Sequence, residues 1–316
     1  MQKILITGAS GQIGADLVVE LRSKYGKDNV IASDIKLDRA QELAPFEVID
    51  VLDKDLLKSV IVKYEIDTIF HLASLLSATG EKNPSLCWNV NMGGLHNILE
   101  LGRELKLEKI INVSSIAVFG PTSPKEHTPQ ATVIEPKTMY GITKLSGELL
   151  CDYYVEKFGM DIRGLRYPGI ISSKTLPGGG TTDYAVEIFY DAITKGSYEC
   201  FLKEDTILPF MYIDDTIRGT IELAEADFSK LHHYSNFNFS AASFSCGELA
   251  HEIQKHIPEF TITYKPDFRQ NIADSWPRSI DDNAARVEWN WKEHYGLAEM
   301  TKDMLDRLTV KLLEEA

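Results

Sequence analysis

The first half of the chain alternates short apolar runs with longer stretches in which apolar residues recur at helical spacing. The short runs predict strands, and the periodic stretches predict helices. The predicted strands cover residues 3–7, 30–34, 46–51, 67–72, 109–113 and 161–166. The predicted helices cover residues 12–24, 53–64, 85–105 and about 140–157. Strands and helices that alternate in this way form βαβ units, so we expect a parallel sheet with helices on both faces.

The regular alternation ends after Pro168. The sequence Pro-Gly-Gly-Gly over residues 177–180 predicts a loop, and a helix is predicted over residues 182–195. Shorter strands are predicted near residues 208–213, 236–240 and 261–264, and helices over residues 245–257 and from about residue 297. The predicted fold class is α/β, with a Rossmann-type, doubly wound parallel sheet over residues 1–167. Residues 168–316 are expected to form mainly a smaller, mixed α/β lobe, some segments of which return to the first domain.

Composition and charge narrow the range of partners. The chain has 316 residues, of which 44% are apolar, which is enough for a sizeable core. Its 33 basic and 47 acidic residues give a net charge of −14, which argues against nucleic acid or an anionic membrane as the main partner. No apolar run approaches the roughly 18 residues that a membrane span needs. A strand follows Met1 almost at once, with no signal or transit segment before it, so we expect a cytoplasmic protein.

The four cysteines are Cys87, Cys151, Cys200 and Cys246. They lie too far apart for a metal-binding or redox motif, so no metal site is predicted. Thiols of this kind suit a reducing compartment, which agrees with the expected location in the cytoplasm.

A glycine-rich segment joins the first predicted strand to the first predicted helix. Gly8, Gly11 and Gly14 allow a tight turn there. They also let backbone N–H groups, including those of Gln12 and Ile13, approach a pyrophosphate at the start of the helix. This segment predicts a dinucleotide-binding loop.

Asp34 ends the second predicted strand, 20 residues beyond Gly14. A carboxylate at this position can accept hydrogen bonds from both ribose hydroxyls of adenosine, and it repels the 2′-phosphate of NADP. The predicted cofactor is therefore NAD.

Tyr140 and Lys144 are four residues apart on a predicted helix and therefore share one face of it. A phenol is a poor base at neutral pH, but a nearby ammonium and an oxidised nicotinamide stabilise the phenolate. Ser115 follows the fifth predicted strand, where its hydroxyl can hydrogen-bond a substrate oxygen. The carboxyl ends of parallel strands meet at one edge of the sheet, so we expect these three residues beside the glycine loop.

On these motifs the chain resembles the short-chain dehydrogenase/reductase superfamily, in its extended, sugar-nucleotide-epimerase-like branch. The resemblance covers nearly the whole length. Further matching motifs are Asp50-Val51, His71-Leu72-Ala73, Asn91, Ser114-Ser115, Val118-Phe119-Gly120, Leu165-Arg166-Tyr167-Pro168, Tyr212-Ile213-Asp214-Asp215 and residues 281–291.

The resemblance implies roles for these residues. Tyr140 would be the catalytic acid/base, Lys144 would lower the pKa of Tyr140 and hold the cofactor ribose, and Ser115 would polarise the carbonyl. The other implied cofactor contacts are Asp50 and Val51 at the adenine, and Leu72, Ala73, Tyr167 and Pro168 along the cofactor trough. Residues 1–167 would then bind NAD, and residues 168–316 would mainly bind the substrate.

One departure from the family pattern concerns the substrate. Sugar-nucleotide epimerases usually carry an Asn shortly after the Arg-Tyr pair, whereas here Pro168-Gly169 follows Tyr167. Residues 176–184 offer backbone N–H groups and hydroxyls at a helix start, which suit a small carboxylate. Together with residues 74–81 and 275–278, they look like the family members that oxidise the C3 hydroxyl of L-threonine to 2-amino-3-ketobutyrate. The implied substrate contacts are Ser74, Ser77, Gly178, Gly179, Gly180, Thr181, Thr182 and Trp276, of which Trp276 could equally serve as packing.

Two other functions stay open at this point. One is a nucleotide-sugar epimerase or dehydratase with the same cofactor chemistry. The other is a non-catalytic NAD-binding sensor, against which the joint presence of Ser115, Tyr140 and Lys144 argues. The resemblance also implies a homodimer, in which residues 85–105 and 139–157 of each subunit pack across a two-fold axis.

Overall fold

A computed structural model of the protein describes residues 1–174 and 180–314. The strands are β1 (Ile4–Thr7), β2 (Val30–Asp34), β3 (Phe46–Val48), β4 (Thr68–His71), β5 (Lys109–Ser115), β6 (Ile162–Tyr167), β7 (Gly169–Ile171), β8 (Ser197–Cys200), β9 (Ile207–Tyr212), β10 (Phe237–Asn238), β11 (Ala242–Ser245) and β12 (Thr261–Tyr264). The helices are α1 (Gln12–Tyr25), α2 (Lys54–Lys63), α3 (Ser77–Lys82), α4 (Pro84–Trp88), α5 (Gly94–Leu105), α6 (Met139–Phe158), α7 (Tyr184–Lys195), α8 (Ile213–Glu225), α9 (Cys246–Gln254), α10 (Arg269–Ser275), α11 (Asn283–Trp289) and α12 (Leu297–Glu314).

The described residues form a seven-stranded sheet with the order β10-β6-β5-β4-β1-β2-β3. Every pairing in it is parallel, which confirms the predicted α/β fold with a doubly wound parallel sheet. Strands β2 and β3 lie on the far side of β1, and strands β5 and β6 lie on the far side of β4. The strand order therefore reverses between β1 and β4, and a crevice opens between the carboxyl ends of these two strands. Thr7 at the end of β1 pairs in register with His71 at the end of β4, which brings the segments after both strands to the same edge.

The second half of the chain adds two smaller sheets. One has the order β11-β9-β7, and in the other β12 pairs with β8. The short strand β10 instead pairs with β6 and extends the large sheet. A single apolar core includes Ile6 of β1 and Phe210 of β9, so the large and small sheets share buried packing.

Several predicted boundaries differ from the structure, and two of them mark turns. The strand predicted over residues 46–51 ends at Val48. The reason is a turn at Asp50, where the carboxylate accepts a hydrogen bond from the Leu52 N–H at 2.9 Å and the carbonyl accepts one from the Asp53 N–H at 2.9 Å. The helix predicted to start at residue 182 begins at Tyr184, so Thr182 lies in the turn before it.

The predicted helix over residues 85–105 begins at Pro84 and contains a π-helical turn, Asn89–Gly93. Asn91 lies in this turn, and its amide both donates to the Leu75 carbonyl and accepts from the Leu75 N–H. The helix thereby holds the segment after β4. The short helix α3 has no predicted counterpart, because six residues that include Gly80 carry no clear helical period.

Candidate active site

A cavity of about 740 Å³ lies at the carboxyl edge of the large sheet, between the glycine-rich loop and the second-half segments. It brings together almost all of the predicted site residues. The lining includes Gly8, Gly11, Gln12, Ile13, Gly14, Asp34, Asp50, Val51, Leu72, Ala73, Ser74, Ser77, Ser115, Tyr140, Tyr167, Pro168, Gly180, Thr181, Thr182 and Trp276. Gly178 and Gly179, which were predicted to contact substrate, lie outside the described residues.

The three glycines of the loop differ in how closely other atoms would surround a side chain at each position. Gly8 has a φ of +73°, and a Cβ there would lie 2.7 Å from the Ala73 backbone nitrogen. A Cβ on Gly14 would lie 2.3 Å from the Gly8 carbonyl oxygen. Gly11 is less crowded, since its nearest neighbour would be the same oxygen at 3.3 Å. Gly8 and Gly14 are therefore needed for the turn itself, whereas Gly11 leaves the cavity side open to a ligand.

Asp34 stands at the end of β2 and faces the loop. Its carboxylate accepts hydrogen bonds from the Ser10 N–H at 3.1 Å and the Lys36 N–H at 3.2 Å. The Ser10 hydroxyl is buried and has no hydrogen-bond partner among the described residues. An uncompensated buried hydroxyl beside an open helix start fits a site that binds a polar group such as a pyrophosphate. The sequence motif marks Ser10 only as a spacer, so its hydroxyl escaped prediction.

The turn after β3 positions the end of the cavity that Asp50 and Val51 line. Val51 packs so closely on α5 that a Cβ on Gly94 would lie 2.7 Å from its Cγ2. The Asn97 side chain donates to the Val51 carbonyl at 3.0 Å. These contacts place Asp50 and Val51 at the cavity wall.

The proposed acid/base lies in the first turn of α6. Thr138 caps this helix, because its hydroxyl accepts the Gly141 N–H at 3.0 Å. The pKa of Tyr140 is raised to about 12 by burial, which outweighs the lowering effect of the nearby Ser115 hydroxyl. Ser115 and Tyr140 therefore lie close together, and the phenol needs further positive charge before it can ionise near neutral pH.

Lys144 lies one turn after Tyr140 on the same helix. Its Nζ donates to the Val113 carbonyl at 2.8 Å and lies 5.5 Å from the centroid of the Tyr140 ring. Burial lowers the pKa of Lys144 to about 8, although the neighbouring Cys87, Cys151 and Glu148 act in the opposite direction. The ammonium is thus held beneath the phenol by a strand carbonyl.

Part of the cavity wall is made of small polar residues. The hydroxyls of Ser77 on α3 and Thr181 lie 3.1 Å apart, and both side chains are buried. The Gly180 N–H donates to the Asp183 carboxylate at 2.7 Å. Trp276, at the end of α10, is only 5% exposed and closes one side of the cavity.

Three further features of the described residues bear on function: possible metal ligands, long apolar helices and cysteine thiols. In residues 1–174 and 180–314, no set of three or more His, Cys, Asp and Glu side chains is placed to hold a metal ion. Among the helices of that same part of the chain, none is long and apolar enough to cross a membrane. All four cysteines are buried free thiols.

Comparison with known proteins places this site in a family. The NAD dependent epimerase/dehydratase family model matches residues 4–237, and the chain belongs to that family. A relative from Staphylococcus saprophyticus, described as an uncharacterized epimerase/dehydratase, is 49% identical over 315 residues, which cover 98% of each chain. The family relationship supports the expected resemblance to the extended short-chain dehydrogenases and supports NAD as the cofactor.

Two solved structures are similar over almost their whole length. The holo form of a GalE-like L-threonine dehydrogenase from Cupriavidus necator has 50% identity and a TM-score of 0.95, over 97% of this chain and 99% of that chain. A monomeric L-threonine 3-dehydrogenase from a metagenome has 48% identity and a TM-score of 0.94, again over 97% and 99%. The cofactor of this protein is therefore NAD, and the loop, Ser10 and Asp34 provide features suited to its pyrophosphate and ribose.

Proposed function

We propose that the protein oxidises the C3 hydroxyl of L-threonine to 2-amino-3-ketobutyrate with NAD. The observation that carries this proposal is that Ser115 and Tyr140 line one cavity together with several hydroxyl groups, while Lys144 lies behind Tyr140 and is held by the Val113 carbonyl. Solved L-threonine dehydrogenases at about 50% identity support the choice of substrate.

Three residues of the chain would each have a separate role in the reaction. The Tyr140 oxygen accepts the proton of the C3 hydroxyl, and Ser115 donates a hydrogen bond to the forming carbonyl oxygen. The Lys144 ammonium, together with the positive charge of oxidised nicotinamide, offsets the burial that raises the pKa of Tyr140. Bound NAD supplies the acceptor for the hydride that leaves C3.

In this proposal the wall of hydroxyl groups binds a small zwitterion rather than a large ligand. We propose that Ser74, Ser77, Thr181 and Thr182 supply hydroxyls to the amino acid and that Trp276 shields it from water. Few atoms are available on such a substrate, so its affinity must come from its charges and its hydroxyl. In this proposal residues 1–167 bind NAD, and residues 168–316 mainly bind the substrate.

Reduction of NAD in the presence of a panel of amino acids and nucleotide sugars tests this function. We expect NADH formation with L-threonine and far slower turnover of L-allo-threonine, because only one configuration at C3 presents its hydrogen to the nicotinamide. Turnover of a UDP- or dTDP-sugar without any turnover of threonine would replace this function with the epimerase/dehydratase alternative. NAD binding without any turnover would point to the sensor.

We also propose a homodimer in the cytoplasm. Exposed apolar side chains are present on both helices predicted to form the interface, namely Trp88 on α4 and Leu149 and Tyr153 on α6. The similar metagenome protein is described as monomeric, so the assembly has to be measured. Light scattering at micromolar concentration should give twice the mass of the chain, and a monomer mass would contradict the dimer.

A further inference from the structure

The end of strand β5 and the catalytic helix α6 touch at three successive points. Val113 accepts a hydrogen bond from Lys144, Ser114 donates one to Glu148, and the Ser115 hydroxyl lies near the Tyr140 phenol. The three helix residues are spaced by four and therefore lie along one face. Three consecutive strand residues thus contact three consecutive turns of the helix.

Two of these contacts hold the catalytic Tyr140 and Lys144, but the third contains no group that the proposed chemistry uses. Glu148 and Arg166 are each only 2% exposed. Arg166 donates to the Glu148 carboxylate through Nε at 2.9 Å and through its second terminal nitrogen at 2.8 Å. This two-point geometry gives the pair a defined orientation as well as attraction.

The partners of Glu148 connect neighbouring strands at the site. Ser114 of β5 and Arg166 of β6 are in-register neighbours, and both donate to the same carboxylate. Each is followed directly by a residue of the cavity wall, Ser115 and Tyr167 respectively. One buried carboxylate on α6 therefore ties the helix to the two strand ends that border the catalytic groups.

Arg166 is itself held from a further side. Its first terminal nitrogen donates to the Gln130 carbonyl and to the Asn238 side-chain oxygen, both at 3.2 Å. Asn238 belongs to β10, which pairs with β6 at the edge of the large sheet. The Glu148 carboxylate is thus paired with the Arg166 guanidinium, which several elements hold in place. The pair is therefore suited to fix the position of α6 rigidly.

We infer that Glu148 is a positioning residue for the reaction. It fixes the position of α6 along β5, and it therefore fixes where Tyr140 and Lys144 lie relative to Ser115. The inference rests on the proposed function for its choice of substrate. A buried ion pair contributes little to stability beyond what a packed apolar pair would, so conformational definition is a reasonable role for it. Displacement of a catalytic group by about 1 Å can cost about 100-fold in rate.

The test compares Ser114→Ala and Glu148→Gln with matched controls in the same protein. Ser123→Ala is the control for the serine, since Ser123 is also buried and donates to a backbone carbonyl, that of Val133. Arg163→Met is the control for the ion pair, because Arg163 lies on the same strand as Arg166, is equally buried, and pairs with Asp161 at 2.7 Å. Neither control residue lines the cavity.

For each variant we would measure kcat and KM for threonine, Kd for NAD, and the thermal midpoint. We expect Ser114→Ala to lower kcat about tenfold and Glu148→Gln about 100-fold, with KM and Kd nearly unchanged. The double variant should lose less than the product of the two single losses, because both remove the same contact. The controls should lose comparable thermal stability but keep the wild-type kcat.

A kcat loss in the controls equal to that in the test variants at matched stability would show a merely structural role and overturn the inference. Unchanged kcat in Ser114→Ala would overturn it as well, and this variant decides the question if Glu148→Gln does not fold. If the wild type turns over a nucleotide sugar and not threonine, the proposed function fails. The same variant ratios are then measured on that sugar, since its oxidation also needs Tyr140 in place.

Discussion

The cofactor side and the substrate side of the cavity are built in different ways. On the cofactor side, most predicted contacts lie at the end of a strand or in the short segment after it, as Gly8 follows β1 and Leu72 follows β4. On the substrate side, the contacts join distant segments, as in the Ser77–Thr181 pair, whose members are 104 residues apart. A parallel sheet aligns strand ends automatically, whereas the substrate wall depends on how the second half folds back.

The contrast predicts that the two sides of the cavity differ in how easily their ligand can change. A site made from strand ends keeps its geometry as long as the sheet forms. A site made from loops of distant segments can change its ligand without disturbing the sheet. The chemistry should therefore depend on the strand-end side, and the choice of substrate on the wall that contains Ser77 and Thr181.

Tyr140→Phe should have the largest effect and separates chemistry from cofactor binding. Loss of the acid/base should reduce kcat by about 100-fold to 10,000-fold, while the Kd for NAD stays nearly unchanged, because little contact area is lost. Initial-rate assays of threonine-dependent NADH formation give kcat, and titration with NAD gives the Kd. A variant that retains more than a few per cent of the wild-type rate would refute Tyr140 as the acid/base.

Asp34→Ala should act on the cofactor side alone. The carboxylate accepts from the Ser10 N–H and would accept from the ribose, and its charge repels a 2′-phosphate. Loss of hydrogen bonds to a charged group costs about 1.5–3 kcal/mol each, so the preference for NAD over NADP should fall by roughly tenfold to 100-fold. Parallel kcat/KM measurements with both cofactors check this, and a wild type that already prefers NADP would contradict the assigned role.

Thr182→Ala should have the smallest effect of the three and should be confined to the substrate. Thr182 lines the cavity at the turn before α7. One neutral hydrogen bond is worth about 0.5–1.5 kcal/mol, so KM for threonine should rise by roughly threefold to tenfold with no change in the Kd for NAD. Weaker NAD binding in this variant, with KM unchanged, would break the division between the two sides of the cavity.

The parts of the molecule that could be predicted are those in which the local sequence pattern also marks the residues that form the site. The glycine loop, Asp34 and the first turn of α6 could be located because strand ends and helix starts carry recognisable residues. The turn at Asp50 was missed, since nothing in the apolar run over residues 46–51 shows that a side chain will close back on the Leu52 N–H. Helix α3 was missed because six residues make less than two turns and show little periodicity.

By itself, the sequence determined the βαβ order, the NAD-binding loop and the pairing of Tyr140 with Lys144, since these depend on spacing within single segments. Only the tertiary structure decided that Ser77 bonds Thr181 and that Trp276 closes the cavity. It also decided that Glu148 is neutralised by Arg166 from a neighbouring strand. The physical reason is that burial and long-range hydrogen bonds depend on which surfaces meet after the chain has folded, and one segment's pattern carries no record of its distant partner.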